Sequence, residues 1–225
     1  IKYLTAFASG QMKAAAKDGY FEAFIGETGE PILWLAIFVL VTAVVVFLGV
    51  EKGIEKVSKA LMPLLVLLTV GIAIYSVTLP GAWDGLLYYI TPDFSRFSFT
   101  TVVAAMGQLF YSMSLAMGIM ITYGSYMKKD VNLEKSVAQI EVFDTGIAFF
   151  AGMMIVPAVF VFNGGDGAAI NAGPGLMFVT LPKVFDSMPF GTVVGALFFV
   201  LVLFAALTSS ISLMETIVSI VQDRL

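Results

Sequence analysis

Gly107-Gln108-Leu109-Phe110-Tyr111-Ser112-Met113-Ser114-Leu115-Ala116-Met117-Gly118 lies inside a stretch, Phe99 to Met127, that contains no charged residue. Such a run is longer than a straight membrane crossing requires, which leaves room for a break. Two serines and several small residues near its middle let the backbone leave helical geometry, provided the freed N–H and C=O groups find an ion, a ligand or water. A discontinuous helix there offers carbonyls to a cation and a helix N-terminus to a carboxylate. The alternative is a continuous helix whose serines bond back to i−4 carbonyls and whose small residues permit close packing.

Outward from this stretch, four more segments are long and apolar enough to cross a bilayer. Ile32 to Val50 is an uncharged run of 19 residues, as a helix about 28 Å long. Residues 57–80 form a second span, apolar from Ala60 to Pro80, with Pro63 near its start, where a missing N–H is least harmful. Residues 134–162 begin amphipathically at Glu134 and turn apolar from Thr145, with Asp144 at the junction, and residues 190–221 make the last span. Together with 99–127 these predict an all-α, polytopic membrane helix bundle. Residues 1–30 mix Lys13, Lys17, Asp18, Glu22 and Glu27 with aromatics and read as the end of a preceding span plus an outer, aqueous loop. Glycines make residues 163–189 an irregular outer loop, and Leu176 to Leu181 is apolar enough to dip back as a lid.

Composition agrees. Of 225 residues 59% are hydrophobic and 12% charged, and the mean hydropathy is +0.96, far more apolar surface than one soluble core absorbs. The net charge of −4 provides no basic stripe for phosphates, so nucleic acid is not an expected partner. With no cysteine and no histidine, disulfide frameworks, His-based triads and the usual zinc sites are excluded, and any bound metal should be a hard cation held by oxygen. The chain starts at Ile1 rather than Met and ends at Arg224-Leu225, which reads as an excerpt from a longer protein. Lys52, Lys56 and Lys59 follow the first span and Lys128 and Lys129 follow the third, whereas residues 83–97 hold Asp84, Asp93 and one Arg96. The positive-inside rule then sets the lysine-rich loops in the cytoplasm of a multi-pass protein of the cell membrane.

Two further polar signals stand inside these spans. Asp144 opens an apolar run, and an acid near the bilayer interior needs a cation, either sodium or a proton, unless it reaches water at the span's end. Ala205-Ala206-Leu207-Thr208-Ser209-Ser210 supplies adjacent hydroxyls that can serve as hard ligands for sodium or potassium, or as interhelical contacts.

Together these segments resemble the neurotransmitter:sodium symporter family with its leucine-transporter fold. The resemblance is carried by Gly53-Ile54-Glu55-Lys56 leading to Met62-Pro63, by Thr91-Pro92-Asp93-Phe94, by Gly107 through Ser114 to Ile121-Thr122-Tyr123-Gly124-Ser125-Tyr126, and by Leu207-Thr208-Ser209-Ser210-Ile211. They follow in family order across most of the chain from Glu51 onward. The resemblance implies helices four to eight of an inverted-repeat bundle with more than ten, the broken span being the sixth.

The resemblance further implies two sodium sites. Ser112 and Asp144 match side-chain ligands of the first, and the Ala205 carbonyl with the Thr208 and Ser209 hydroxyls matches the second. Tyr111, Ser112, Ser114, Met117, Ser209 and Leu213 match the substrate pocket. Tyr126 and Asp223 match the cytoplasmic gate, with Asp223 facing an arginine on the absent first helix. The family usually has Asn at the position of Asp144, and chloride-dependent relatives have a serine at the position of Ala148. Chloride independence is therefore expected. The implied function is sodium-coupled symport of a neutral, apolar amino acid by alternating access, within the lipid bilayer and with the remaining helices of the same transporter. A channel would need rings of identical subunits and no lid. An intramembrane enzyme would need a nucleophile–base pair that these residues do not supply.

Overall fold

The computed structural model describes residues 1–165 and 173–224. The middle of the expected outer loop, with Asp166, lies outside them. Among the described residues the chain is helical without a strand. Three short helices, α1 (Lys2–Ala8), α2 (Met12–Ala15) and α3 (Tyr20–Gly26), precede α4 (Gly29–Phe47), and a π-turn (Val50–Ile54) leads into α5 (Glu55–Val77). Then come α6 (Ala82–Ile90), α7 (Phe99–Ser112), α8 (Ile119–Ser125), α9 (Leu133–Phe162), α10 (Leu181–Ser187) and α11 (Gly191–Gln222).

Four of these, α4, α5, α9 and α11, are long and apolar enough to cross a membrane. The fifth expected crossing is split into α7 and α8, each too short to span alone. The Ser98 side chain accepts from the Thr101 N–H to start α7, and Asn132 accepts from the Lys135 N–H to start α9. Because α5 begins at Glu55, Pro63 falls inside the helix rather than at its first turn.

The bundle is organised around α5, α9 and α11: α5 packs on both α9 and α11, α4 packs on α11, and α6 lies on α9. Residues 1–26, expected as the end of a span and a loop, form α1 to α3, with α1 packed on α11, α2 on α10, and α3 on α4 and on residues 176–180. Tyr3, Ala6, Phe7 and Ala15 are buried in the same core as Phe185, Phe198 and Phe199. The aromatic faces in this segment outweigh its charges: Lys13, Lys17 and Glu22 remain outside the core while the rings are covered.

The segment expected as a dipping lid is helical. It runs from a π-turn (Leu176–Thr180) into α10, and Leu181, Val184 and Phe185 are 2%, 1% and 3% exposed. By contrast α7 buries none of its side chains.

Candidate functional site

The site is built where the fifth crossing breaks. The α-helical bonds of α7 end at Ser112, Ser114 takes a left-handed φ of 55°, and Gly118 (φ 75°) caps the start of α8. A left-handed serine costs roughly 1–2 kcal/mol. The turn partly compensates with bonds from Ser114 N to Tyr111 O (3.1 Å) and from Leu115 N to Phe110 O (3.1 Å). Glycine at 118 is required by its φ, and a Cβ there would lie 3.2 Å from the Thr216 methyl on α11.

Ser112 donates its hydroxyl to Asp144 Oδ2 at 2.6 Å, joining the end of α7 to the middle of α9. The contact is short because the acceptor is a carboxylate. Two of the oxygens assigned by resemblance to one cation site are thus neighbours.

The hydroxyl triplet on α11 divides. Thr208 Oγ1 and Ser209 Oγ both donate to the Ala205 carbonyl at 3.0 Å, so these three oxygen-bearing groups form one local cluster. Ser210 turns the other way and meets the fully buried Thr42 of α4 at 3.1 Å. Steps of 100° per residue separate the two roles.

A cleft of about 390 Å³ runs between the start of α5, the break, α8 and α11. It is lined by Ser114, Thr208 and Ser209 and extends to Ser58, Tyr123 and Tyr126. Of the other expected pocket residues, Met117 lies in the break, half-buried, while Tyr111 and Leu213 are exposed on α7 and α11 and do not line this cleft.

At the far end of α11, Tyr126 donates to Glu215 Oε1 at 2.6 Å, and Asp223 caps the helix and is exposed. Glu215 is 6% exposed, and sequence reasoning missed it. The available signal was a lone carboxylate inside an otherwise uncharged helix, which membrane energetics marks as functional. Beside it Tyr123 and Ser212 pair at 2.9 Å.

A discontinuous membrane helix facing a carboxylate on one neighbour and a carbonyl–hydroxyl cluster on another is an arrangement suited to hard cations. The sequence profile of the sodium:neurotransmitter symporter family matches residues 15–225. The chain belongs to that family. It is 38% identical over 220 residues to YhdH, an uncharacterized sodium-dependent transporter of Bacillus subtilis, covering 96% of this chain and 48% of that protein. An uncharacterized sodium-dependent transporter of Haemophilus influenzae is 37% identical over all of this chain and 50% of its own length. The human sodium- and chloride-dependent creatine transporter 1 is 31% identical over 74% of this chain and 27% of that protein.

In structure the chain is similar to MhsT in complex with L-phenylalanine, with a TM-score of 0.82 and 43% identity over 95% of this chain and 48% of MhsT. The chain thus spans about half the length of these two bacterial relatives and of MhsT. It is a multi-pass membrane protein with a leucine-transporter-type bundle.

Proposed function

We propose that this chain is the central portion of a sodium-coupled symporter that moves neutral, apolar amino acids across the cell membrane by alternating access. The observation that carries the reading is the hydrogen bond from Ser112, at the edge of a ruptured membrane helix, to Asp144 on α9. A carboxylate and broken backbone are tolerable together in lipid around a captured cation and a polar ligand. The donors at both sites are hard oxygens, which fit sodium, and the remaining helices of the transporter complete each shell. Ser114 and Ser209 line the cleft, and Tyr111, Ser112, Met117 and Leu213 join them at the substrate site by the family resemblance. No residue in this set is charged, which suits a neutral side chain, and Met117 offers an adaptable wall. The complex of MhsT with L-phenylalanine supports the same substrate class.

Asp144 brings its own negative charge to the first site and Ala148 lacks a hydroxyl, so transport proceeds without chloride. Tyr126, Glu215 and Asp223 form this half's share of the cytoplasmic gate, Asp223 meeting an arginine of the remaining first helix. The lysine-rich loops face the cytoplasm.

Coupling requires that sodium favour one conformation, because an ion bound equally by both shifts nothing. Counterflow of radiolabelled amino acids into proteoliposomes, across a substrate panel with and without sodium, tests the proposal. Sodium-dependent exchange of apolar amino acids without conductance is the expected outcome. Exchange that ignores sodium would overturn it, and transport lost on full halide replacement would overturn the chloride statement alone.

A further inference from the structure

Ser210 is set apart from the hydroxyls beside it on α11. Thr208 and Ser209 give their protons to the Ala205 carbonyl of their own helix, which leaves their lone pairs available to a cation. Ser210 instead meets Thr42 Oγ1 of α4 at 3.1 Å, and Thr42 donates to the Phe38 carbonyl at 3.0 Å. Because Thr42 has a single proton and spends it on Phe38, the bond between the two hydroxyls is donated by Ser210. The bonds therefore run one way, from α11 into α4 and onto a backbone carbonyl.

Cohesion of the two helices does not depend on this bond. Val45 and Val46 of α4 pack with Ile211 of α11 in one buried cluster, and aliphatic contacts of that kind are non-directional. A hydrogen bond weakens steeply off its line, so it fixes rotation about the helix axis more sharply. Thr42 is 0% exposed, which shuts out water as a substitute acceptor for Ser210. Side-chain tips stand about 5 Å from a helix axis, so a turn of about 10° carries a hydroxyl by about 0.9 Å, beyond the ~0.5 Å tolerance of a preorganised site.

We infer that Thr42 is a positioning residue for the second sodium site. By accepting the Ser210 proton it sets the rotation of α11 at which Ala205, Thr208 and Ser209 face the ion, although it touches none of those three groups. Sodium affinity is thereby tuned from a neighbouring helix. The inference rests on the carrier reading and on the assignment of that site, and adds a residue that neither includes.

The test is displacement of radioactive sodium by unlabelled sodium on the purified full-length transporter. Thr42→Val, which keeps the side chain's shape, and Ser210→Ala should each weaken the component of binding that depends on Thr208 and Ser209 by about threefold, the worth of one interhelical bond of this kind. The number of ions bound at saturation should not change, and Thr42→Ser, which keeps the hydroxyl, should bind as the wild type does. In a Thr208→Val, Ser209→Ala background Thr42→Val should have no further effect, whereas a general loosening of the bundle would weaken the remaining sodium binding too. Unchanged affinity in Thr42→Val and Ser210→Ala, or the same loss in both backgrounds, would overturn the positioning role and leave the carrier reading intact. Should Thr42→Val fail to fold, Ser210→Ala and Thr42→Ser decide the matter by the same measurement. If the wild-type transporter binds no sodium, the carrier reading and the positioning role fall together.

Discussion

The crossing at residues 99–125 and helix α11 are both apolar spans that carry serine, threonine and glycine, yet one is broken and the other runs unbroken from Gly191 to Gln222. The difference lies in where the hydroxyls find acceptors. On α11, Thr208, Ser209, Ser212 and Thr216 each bond back to a carbonyl three or four residues earlier, so the helix satisfies them itself. Ser112 instead reaches across to Asp144, and Ser114 and Gly118 take left-handed φ values that an α-helix cannot contain. Hydroxyl content alone therefore does not break a membrane helix. A long-range acceptor together with residues that turn left-handed does.

Removing that acceptor should have the largest effect. Asp144→Ala in the full-length protein is expected to weaken sodium-stimulated substrate binding on the order of 100-fold, at the upper end of typical couplings between sites. Unchanged binding would mean that the break has another cause.

On the unbroken side, Thr208→Val with Ser209→Ala should cost roughly tenfold in sodium affinity, a coupling within the usual range. Helical content should barely change, because back-bonded hydroxyls bend helices more than they support them. Circular dichroism and sodium titration on the same sample separate the two effects, and lost helicity would contradict the comparison.

Gly118→Ala tests the geometry of the break directly. Placing a Cβ at a φ of 75° and 3.2 Å from the Thr216 methyl should lower stability by about 1–2 kcal/mol, read by denaturation in detergent. A neutral substitution would show that the left-handed cap is not needed.

Thr42→Val removes a hydroxyl paired across helices with Ser210 and is expected to cost about 0.6 kcal/mol. Ser76→Ala should have the smallest effect. The Ser76 hydroxyl is buried without a hydrogen-bond partner among the described residues, so its loss should be neutral or slightly stabilising, because an unsatisfied buried group carries a desolvation cost. The same denaturation assay ranks the pair.

The apolar spans and the break in one of them were legible in the residues. Hydropathy over about 20 residues and the positions of Ser and Gly are both local properties. The packing of the front segment was not legible from its own residues: Tyr3 and Phe7 become core only once Phe178, Phe185 and Phe199 arrive from distant positions in the chain. The lid reading met the same limit, since Leu181 to Phe185 look equally apolar whether they dip toward a pathway or lock onto α11.

Glu215 shows the boundary most sharply. Its isolation in an apolar helix was visible, but its partner Tyr126 lies 89 positions away and is set by how α8 docks on α11. What the sequence determined by itself was which segments are apolar enough to cross lipid, because solvent acts on each segment separately. Tertiary structure alone decided which hydroxyl faces which helix and where the buried acid finds its donor. Side-chain direction around a helix acquires a meaning only when a neighbouring helix supplies the acceptor.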